Sequence, residues 1–201
     1  MPHISFSELK NWVKCPFYHK LVNIEKLKGF VGSEHTAFGT ALHEVCEKKV
    51  LGTMPEGQEA STFLKTFESE IESLIVDNVD LNQSLVTEME EQGKILAPLA
   101  VPELSRHFGS YEVISAEEKL YEPIDNLQYN FKGYIDLVIK TKDEKYHIID
   151  WKTTSWGWDS RRRSDPMVTY QLTLYKYYFS RKHNIDPKMI ETHFALLKRT
   201  A

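Results

Sequence analysis

Cysteine is scarce, one-signed charge is absent, and no apolar run is long. The only cysteines, Cys15 and Cys46, supply neither a disulfide framework nor a C-x-x-C knuckle. A protein of a reducing compartment is expected. No apolar run approaches the roughly 18 residues of a membrane span, and Met1-Pro2-His3-Ile4-Ser5 lacks the basic-then-apolar layout of a secretory leader. We therefore expect a soluble intracellular protein, cytoplasmic or nucleoid-associated, without a membrane partner. A net charge of −4 argues against a protein that coats nucleic acid by charge alone, though it leaves room for a local basic surface. Repeats and low-complexity tracts are also lacking. What is present is 201 residues with 41% hydrophobic content, enough for one well-buried core and too little for two ordinary domains.

The first 110 residues read as mainly helical. Ser5 and Glu8 have capping-box spacing ahead of Leu9, Trp12 and Val13, and that helix should stop near Cys15-Pro16. Phe38, Leu42, Val45 and Lys49 recur at helical spacing over about 35–50, widened by Ala41 and Cys46 and closed by Gly52 and Pro55. Further helices are expected over about 59–78 and 83–108, the latter interrupted by Pro98 and Pro102. From Tyr111 the pattern changes. Segments 111–121, 131–140 and 145–153 are rich in Ile, Val, Tyr and Phe and predict an antiparallel meander. A polar stretch, a helix opened by Pro166 and running to Lys182, and a last strand over about 192–198 follow. The whole is an α/β fold: a mixed sheet, meander plus one further strand, flanked by helices, with a helical N-terminal subregion.

Two strands carry a carboxylate inside an apolar run: Asp136 in Gly133-Tyr134-Ile135-Asp136-Leu137-Val138 and Asp150 in Ile148-Ile149-Asp150-Trp151-Lys152-Thr153. An unpaired charge is costly there, so something must compensate it. Residues two apart on a strand share a face, which puts Lys152 beside Asp150. If the connecting turn has an odd number of residues, as with Lys142-Asp143-Glu144 and Thr141 opposite Lys145, Asp136 lies across from Asp150. An even turn without a bulge sends them to opposite faces. Facing carboxylates repel, and a hard divalent cation removes the repulsion while keeping waters for a phosphate. Such an ion polarises phosphate and lowers the pKa of an attacking water, and the lysine can orient that water or stabilise developing charge. The plain alternative for Asp-x-Lys alone is a surface ion pair on a strand.

Gly39-Thr40-Ala41-Leu42-His43, Gly133-Tyr134-Ile135-Asp136, Asp150-Trp151-Lys152-Thr153 and Gln171-x-x-x-Tyr175 resemble, in order and spacing, the motifs of the PD-(D/E)xK nuclease superfamily, in particular its RecB-like exonuclease branch. The resemblance runs from about residue 5 to residue 198. It implies a restriction-endonuclease-like core and a metal-dependent deoxyribonuclease of DNA repair, recombination or replication. That enzyme would use Mg²⁺ or Mn²⁺, act on single-stranded DNA or DNA ends, and work beside a helicase or another recombination or replication protein. It also implies that His43 ligates the metal with Asp136, Asp150 and the backbone carbonyl of Trp151, and that Lys152 is catalytic. Glu117 or its neighbour Glu118 would be the acidic residue of the first meander strand. Gln171 and Tyr175 would brace the site or touch the substrate backbone; as plain structure they are a hydrogen bond beside an aromatic core contact. Some members of the branch hold an iron–sulfur cluster on four cysteines. Cys15-Pro16-Phe17-Tyr18 resembles the first element of that set, but no cysteine follows Cys46, and no cluster is expected.

Between Lys152 and Gln171 lies Trp156-Gly157-Trp158-Asp159-Ser160-Arg161-Arg162-Arg163. Arg161, Arg162 and Arg163 can neutralise phosphates, and Trp156 and Trp158 offer faces for unpaired bases. An ordinary solvated loop whose tryptophans pack on the core is the other reading. Two further alternatives stay open for the whole chain: a catalytically silent nuclease fold kept as a DNA-binding or scaffold module, and an enzyme directed at RNA or cutting internally.

Overall fold

In the computed structural model, which describes residues 2–199, local sequence signals place most of the elements. Strand β1 (His3–Ser5) leads into helix α1 (Phe6–Lys14), where the Ser5 side chain accepts from the Glu8 N–H at 3.2 Å. Only half of the expected capping box forms, because the Glu8 carboxylate turns to His19 Nε2 at 3.0 Å. A short helix α2 (Pro16–His19) follows. Three long helices come next, α3 (Glu34–Val50), α4 (Glu59–Val76) and α5 (Gln83–Phe108), close to the expected bounds. The expected interruption of α5 does not occur. Pro98 and Pro102 lie one turn apart, half-buried and exposed respectively, and the carbonyls that lose an amide partner belong to Lys94 and Pro98, neither of them a buried residue, where a helix tolerates the loss.

The sheet consists of β1 with β2 (Tyr111–Pro123), β3 (Asn130–Thr141), β4 (Tyr146–Thr154) and β5 (Ile190–Lys198). Strands β2, β3 and β4 form the antiparallel meander, and β5 joins β4 in parallel after helices α6 (Ser160–Ser164) and α7 (Pro166–His183). The β3–β4 turn is the odd one: Thr141 N–H donates to Lys145 O at 3.0 Å across Lys142-Asp143-Glu144, and Glu144 takes a left-handed φ of 66°. β1 and α6 were not expected from sequence. β1 spans three residues and exists only through parallel pairing with Asn130–Lys132, whereas α6 is a five-residue turn in an arginine-rich stretch.

Helices α3, α4 and α5 cover one face of the sheet, packing Phe38, Leu42, Phe63, Phe67 and Met89 against Leu137, Ile139, Ile149 and Trp151. Helix α7 covers the other face, with Leu172, Tyr175, Tyr178 and Phe179 against Phe131, Ile135, Val138 and Ile148. Ile135 therefore faces α7 while Leu137, two residues on, faces the opposite layer. The alternation of β3 breaks at Asp136. Beside it, β3 pairs with β1 only up to Lys132 and with β4 only from Leu137, which leaves 133–136 without a partner on that edge. Among the described residues no helix is long and apolar enough to cross a membrane.

Candidate active site

The break in β3 and the opening beside it position the polar groups. The register of the β3–β4 pairs carries Asp136 level with Asp150, but regular pairing stops at Leu137↔Ile149. In its place the Asp136 carboxylate accepts the Trp151 N–H through Oδ2 at 2.7 Å. Across β3 on the other side, Glu117 falls between the pairs Ala116↔Leu137 and Glu118↔Ile135, level with Asp136, and its backbone is left-handed at φ 48°. Such a φ is unfavourable for a residue with a Cβ, and here it coincides with the convergence of acids.

Helix α3 brings His43 to the same place. Its Nε2 lies 3.0 Å from the Trp151 carbonyl, and since a carbonyl only accepts, this nitrogen carries the ring proton. The Nδ1 lone pair then faces Asp136 Oδ2 at 3.6 Å, with no proton assigned between them. Ligand atoms of His43, Glu117 and Asp136 all lie within 4.8 Å of one another. Glu118 takes no part: its carboxylate accepts from Lys182 Nζ at 2.9 Å and pairs with His183 and Ser115.

Asp150, 1% exposed, receives two partners. Gln171 Nε2 donates to its Oδ1 at 2.9 Å and also to Tyr175 Oη at 3.1 Å, while Lys152 Nζ makes an ion pair with Oδ2. Gly133 gives Tyr175 its room, because a Cβ there would stand 2.8 Å from the tyrosine Cε1. Desolvation and mutual repulsion shift these acids together, Asp136 and Asp150 being enclosed and Glu117 exposed. Burial raises Asp136 to about 6 against the opposing influence of the Trp151 N–H and Lys152. It also raises Asp150 to about 6, against Lys152 and with help from Asp136. Glu117 is carried to about 7 by desolvation and by the charges of Asp136, Glu47 and Asp150. Burial holds His43 below its ordinary value, in the neutral form that ligates cations. Glu117 and Asp136, both pushed up beside a neutral imidazole lone pair, are a donor set with excess negative charge, whereas Asp150 next to them is already paired with Lys152. Hard oxygen donors with one imidazole suit a divalent cation.

Thus His43, Glu117, Asp136, Asp150, Trp151, Lys152, Gln171 and Tyr175 come together. A cleft of about 930 Å³ opens onto His43 and Glu117 of this group and is also lined by Glu47 and Thr153, among others. Glu47 escaped the sequence reading, although it lies one turn after His43 on the same helical face. The arginine loop stands apart, in a hollow lined by Trp156, Trp158, Arg161, Arg162 and Lys10. Arg161, Arg162 and Arg163 are exposed. Of the two tryptophans, Trp156 is open at 71% exposure, whereas Trp158 is 7% exposed, packed on Phe194 at 4.9 Å and covered by the Arg162 guanidinium at 5.0 Å. The face available to a base in this loop is that of Trp156.

A mixed five-stranded sheet between a three-helix layer and one crossover helix, with two strand acids and a lysine at its opened edge, has the architecture of a restriction-endonuclease-like fold. The family pattern described as PD-(D/E)XK nuclease superfamily matches residues 3–198, and the chain belongs to that superfamily, whose nucleases use divalent metals. Over 81 residues it is 32% identical to a protein of Ureaplasma parvum serovar 3 that bears the name Uncharacterized protein UU146. The match takes in 40% of this chain and 36% of that protein, so the chain spans about a third of the relative's length.

Proposed function

We propose that the protein is a divalent-metal-dependent deoxyribonuclease of the RecB-like kind, acting on single-stranded DNA or DNA ends. The observation that supports it best is the gathering of Asp136, Glu117 and the His43 lone pair next to Asp150 and Lys152. His43 Nδ1, Asp136 and Glu117 would hold Mg²⁺ or Mn²⁺, with Asp150 and the Trp151 carbonyl as further oxygens beside it. When bound, the ion supplies Lewis acidity to the scissile phosphate and acidity to a water. The chain's own groups do the rest. Lys152 places a fixed positive charge at the reacting phosphate, where it stabilises charge as it develops. Gln171, held by Tyr175, fixes the Asp150 carboxylate so that Lys152 is aimed rather than free. Trp156 and Arg161–163 hold the strand that leaves the cleft, by stacking and phosphate neutralisation. A helicase or another recombination or replication protein would deliver the end.

Digestion of matched linear and covalently closed DNA with Mn²⁺, wild type beside Lys152→Ala, tests this reading. Loss of linear DNA alone, abolished in the variant, is the expected result. Cleavage of closed circles would make the enzyme an endonuclease, and preference for a matched RNA would change the substrate. Intact DNA together with no heat of Mn²⁺ binding would leave a silent nuclease fold.

A further inference from the structure

A second cluster of metal-ligating side chains stands about 10 Å along β4 from Asp150, on the opposite face of that strand. The parallel pairing of β4 with β5 sets His147 beside Glu191 and Ile149 beside His193, so both histidines face the α5 side of the sheet. His147 Nδ1 is 3.0 Å from His193 Nε2 and 3.8 Å from Glu191 Oε2, and ligand atoms of the three lie within 4.8 Å of one another. A four-coordinate zinc ion bound at 2.0–2.1 Å places its donors roughly 3.3 Å apart, which these separations bracket.

Two of the atoms that turn away from this focus, on His147 and on Glu191, are held. His147 Nε2 is 3.0 Å from Thr141 Oγ1, and the Thr141 hydroxyl in turn donates to Asp143. With its proton so committed, Thr141 accepts from His147 Nε2–H, and the Nδ1 lone pair is left pointing at His193 and Glu191. Histidine ligands of metals are regularly oriented by such a hydrogen bond on the far nitrogen. The Glu191 Oε1 atom is bound by Lys145, leaving Oε2 toward the histidines. Phe108 packs against both imidazoles, with centroids at 4.8 and 5.2 Å, and fixes their planes. A fourth donor can approach from the groove between α5 and β5, which His107 and His193 both line.

We propose that His147, Glu191 and His193 form a second cation site, selective for Zn²⁺ and similar transition ions, that fastens β5 to β4 and to the β3–β4 turn. Two imidazoles and one carboxylate favour such ions over Mg²⁺. The proposal does not rest on the catalytic reading, and its test is arranged to keep the two apart.

The test is a Co²⁺ titration, followed by visible absorption, of full-length Asp136→Asn protein stripped with EDTA, in which the first site is disabled. One equivalent should develop the intense bands of four-coordinate cobalt, stoichiometric Zn²⁺ should bleach them, and excess Mg²⁺ should leave them. In the same background, His193→Gln and Glu191→Ala should each weaken binding by roughly tenfold or more. Glu191 is half-exposed, so its variant remains informative if His193→Gln does not fold. Absence of stoichiometric Co²⁺ binding, or unchanged titrations in the folded variants, would overturn the assignment.

Discussion

Replacing Asp136 by asparagine is expected to stabilise the metal-free protein while abolishing metal-dependent cleavage of DNA. The Asp136 side chain is 13% exposed, and although it accepts the Trp151 N–H, burial carries its pKa from 3.8 to about 6. An acid with a raised folded pKa binds more protons folded than unfolded between the two values. Its contribution to stability therefore falls as pH rises from about 4 to about 6, and the loss is complete above that window. A shift of about two units corresponds to roughly 3 kcal/mol at pH 8 and roughly 1 kcal/mol at pH 4.5. Asparagine keeps the shape and an acceptor for Trp151 but never ionises. In EDTA at pH 8 the variant should gain on the order of 3 kcal/mol, a rise in Tm of roughly 6–12 °C for a chain of this size, and most of that gain should vanish at pH 4.5. Saturating Mn²⁺ should reverse the order, because the wild type alone gains full binding energy. Urea and thermal unfolding with and without EDTA measure all of this. A variant no more stable than wild type at pH 8, or a gain of equal size at both pH values, would refute the reasoning.

Lys152→Ala should lower the rate on labelled linear DNA by roughly 100-fold or more. It should also destabilise the fold by roughly 3 kcal/mol in urea, since it strips the ion-pair partner from the buried Asp150. Equal activity would remove Lys152 from the mechanism. With the Glu117 carboxyl at about 7, Mn²⁺ affinity should fall as pH drops from 8 to 6, because the acid takes up a proton and ceases to ligate. Calorimetry on Glu117→Gln should show weaker binding with a flatter pH dependence, and a slope identical to wild type would take Glu117 out of the ligand set. Gly133→Val should displace Tyr175, whose ring atom stands 2.8 Å from the added Cβ, and cost roughly 1–3 kcal/mol by overpacking. It should impair cleavage more than Tyr175→Phe does, and activity indistinguishable from wild type would show that the Gln171–Tyr175 brace is dispensable.

Much of this was readable because burial leaves a strong trace in sequence. Asp136 and Asp150 stood out as charges inside apolar strands, and the three-residue turn after Thr141 carries them to one level as its odd count requires. The long helices announced themselves by period, although proline at 98 and 102 misled, since chemistry that breaks a buried helix is tolerated where water can solvate the freed carbonyls. Other features depend on backbone events with no sequence signature. The choice of Glu117 over Glu118 follows from a register shift between Val113 and Ser115 and from one left-handed residue. The burial of Trp158 and the meeting of His147 with His193 depend on where β5 docks, and nothing local to either segment encodes that.

The opened edge of β3 explains why a costly acid persists at the centre of the sheet. Over 133–136 the strand has neither β1 nor β4 as neighbour, and the Trp151 amide, in a residue 3% exposed, would lack an acceptor without the Asp136 side chain. The same carboxylate thus completes the hydrogen bonding of β4 and opposes folding by its charge. The two effects separate by substitution: asparagine removes the charge and keeps the acceptor, whereas alanine removes both and leaves a buried N–H unsatisfied, at a cost of about 1–3 kcal/mol. In EDTA at pH 8, Asp136→Asn should lie above wild type in stability, and Asp136→Ala below Asp136→Asn by about that cost. If the two variants unfold together, the 2.7 Å contact with Trp151 contributes nothing, and the charge alone governs the energetics of this edge.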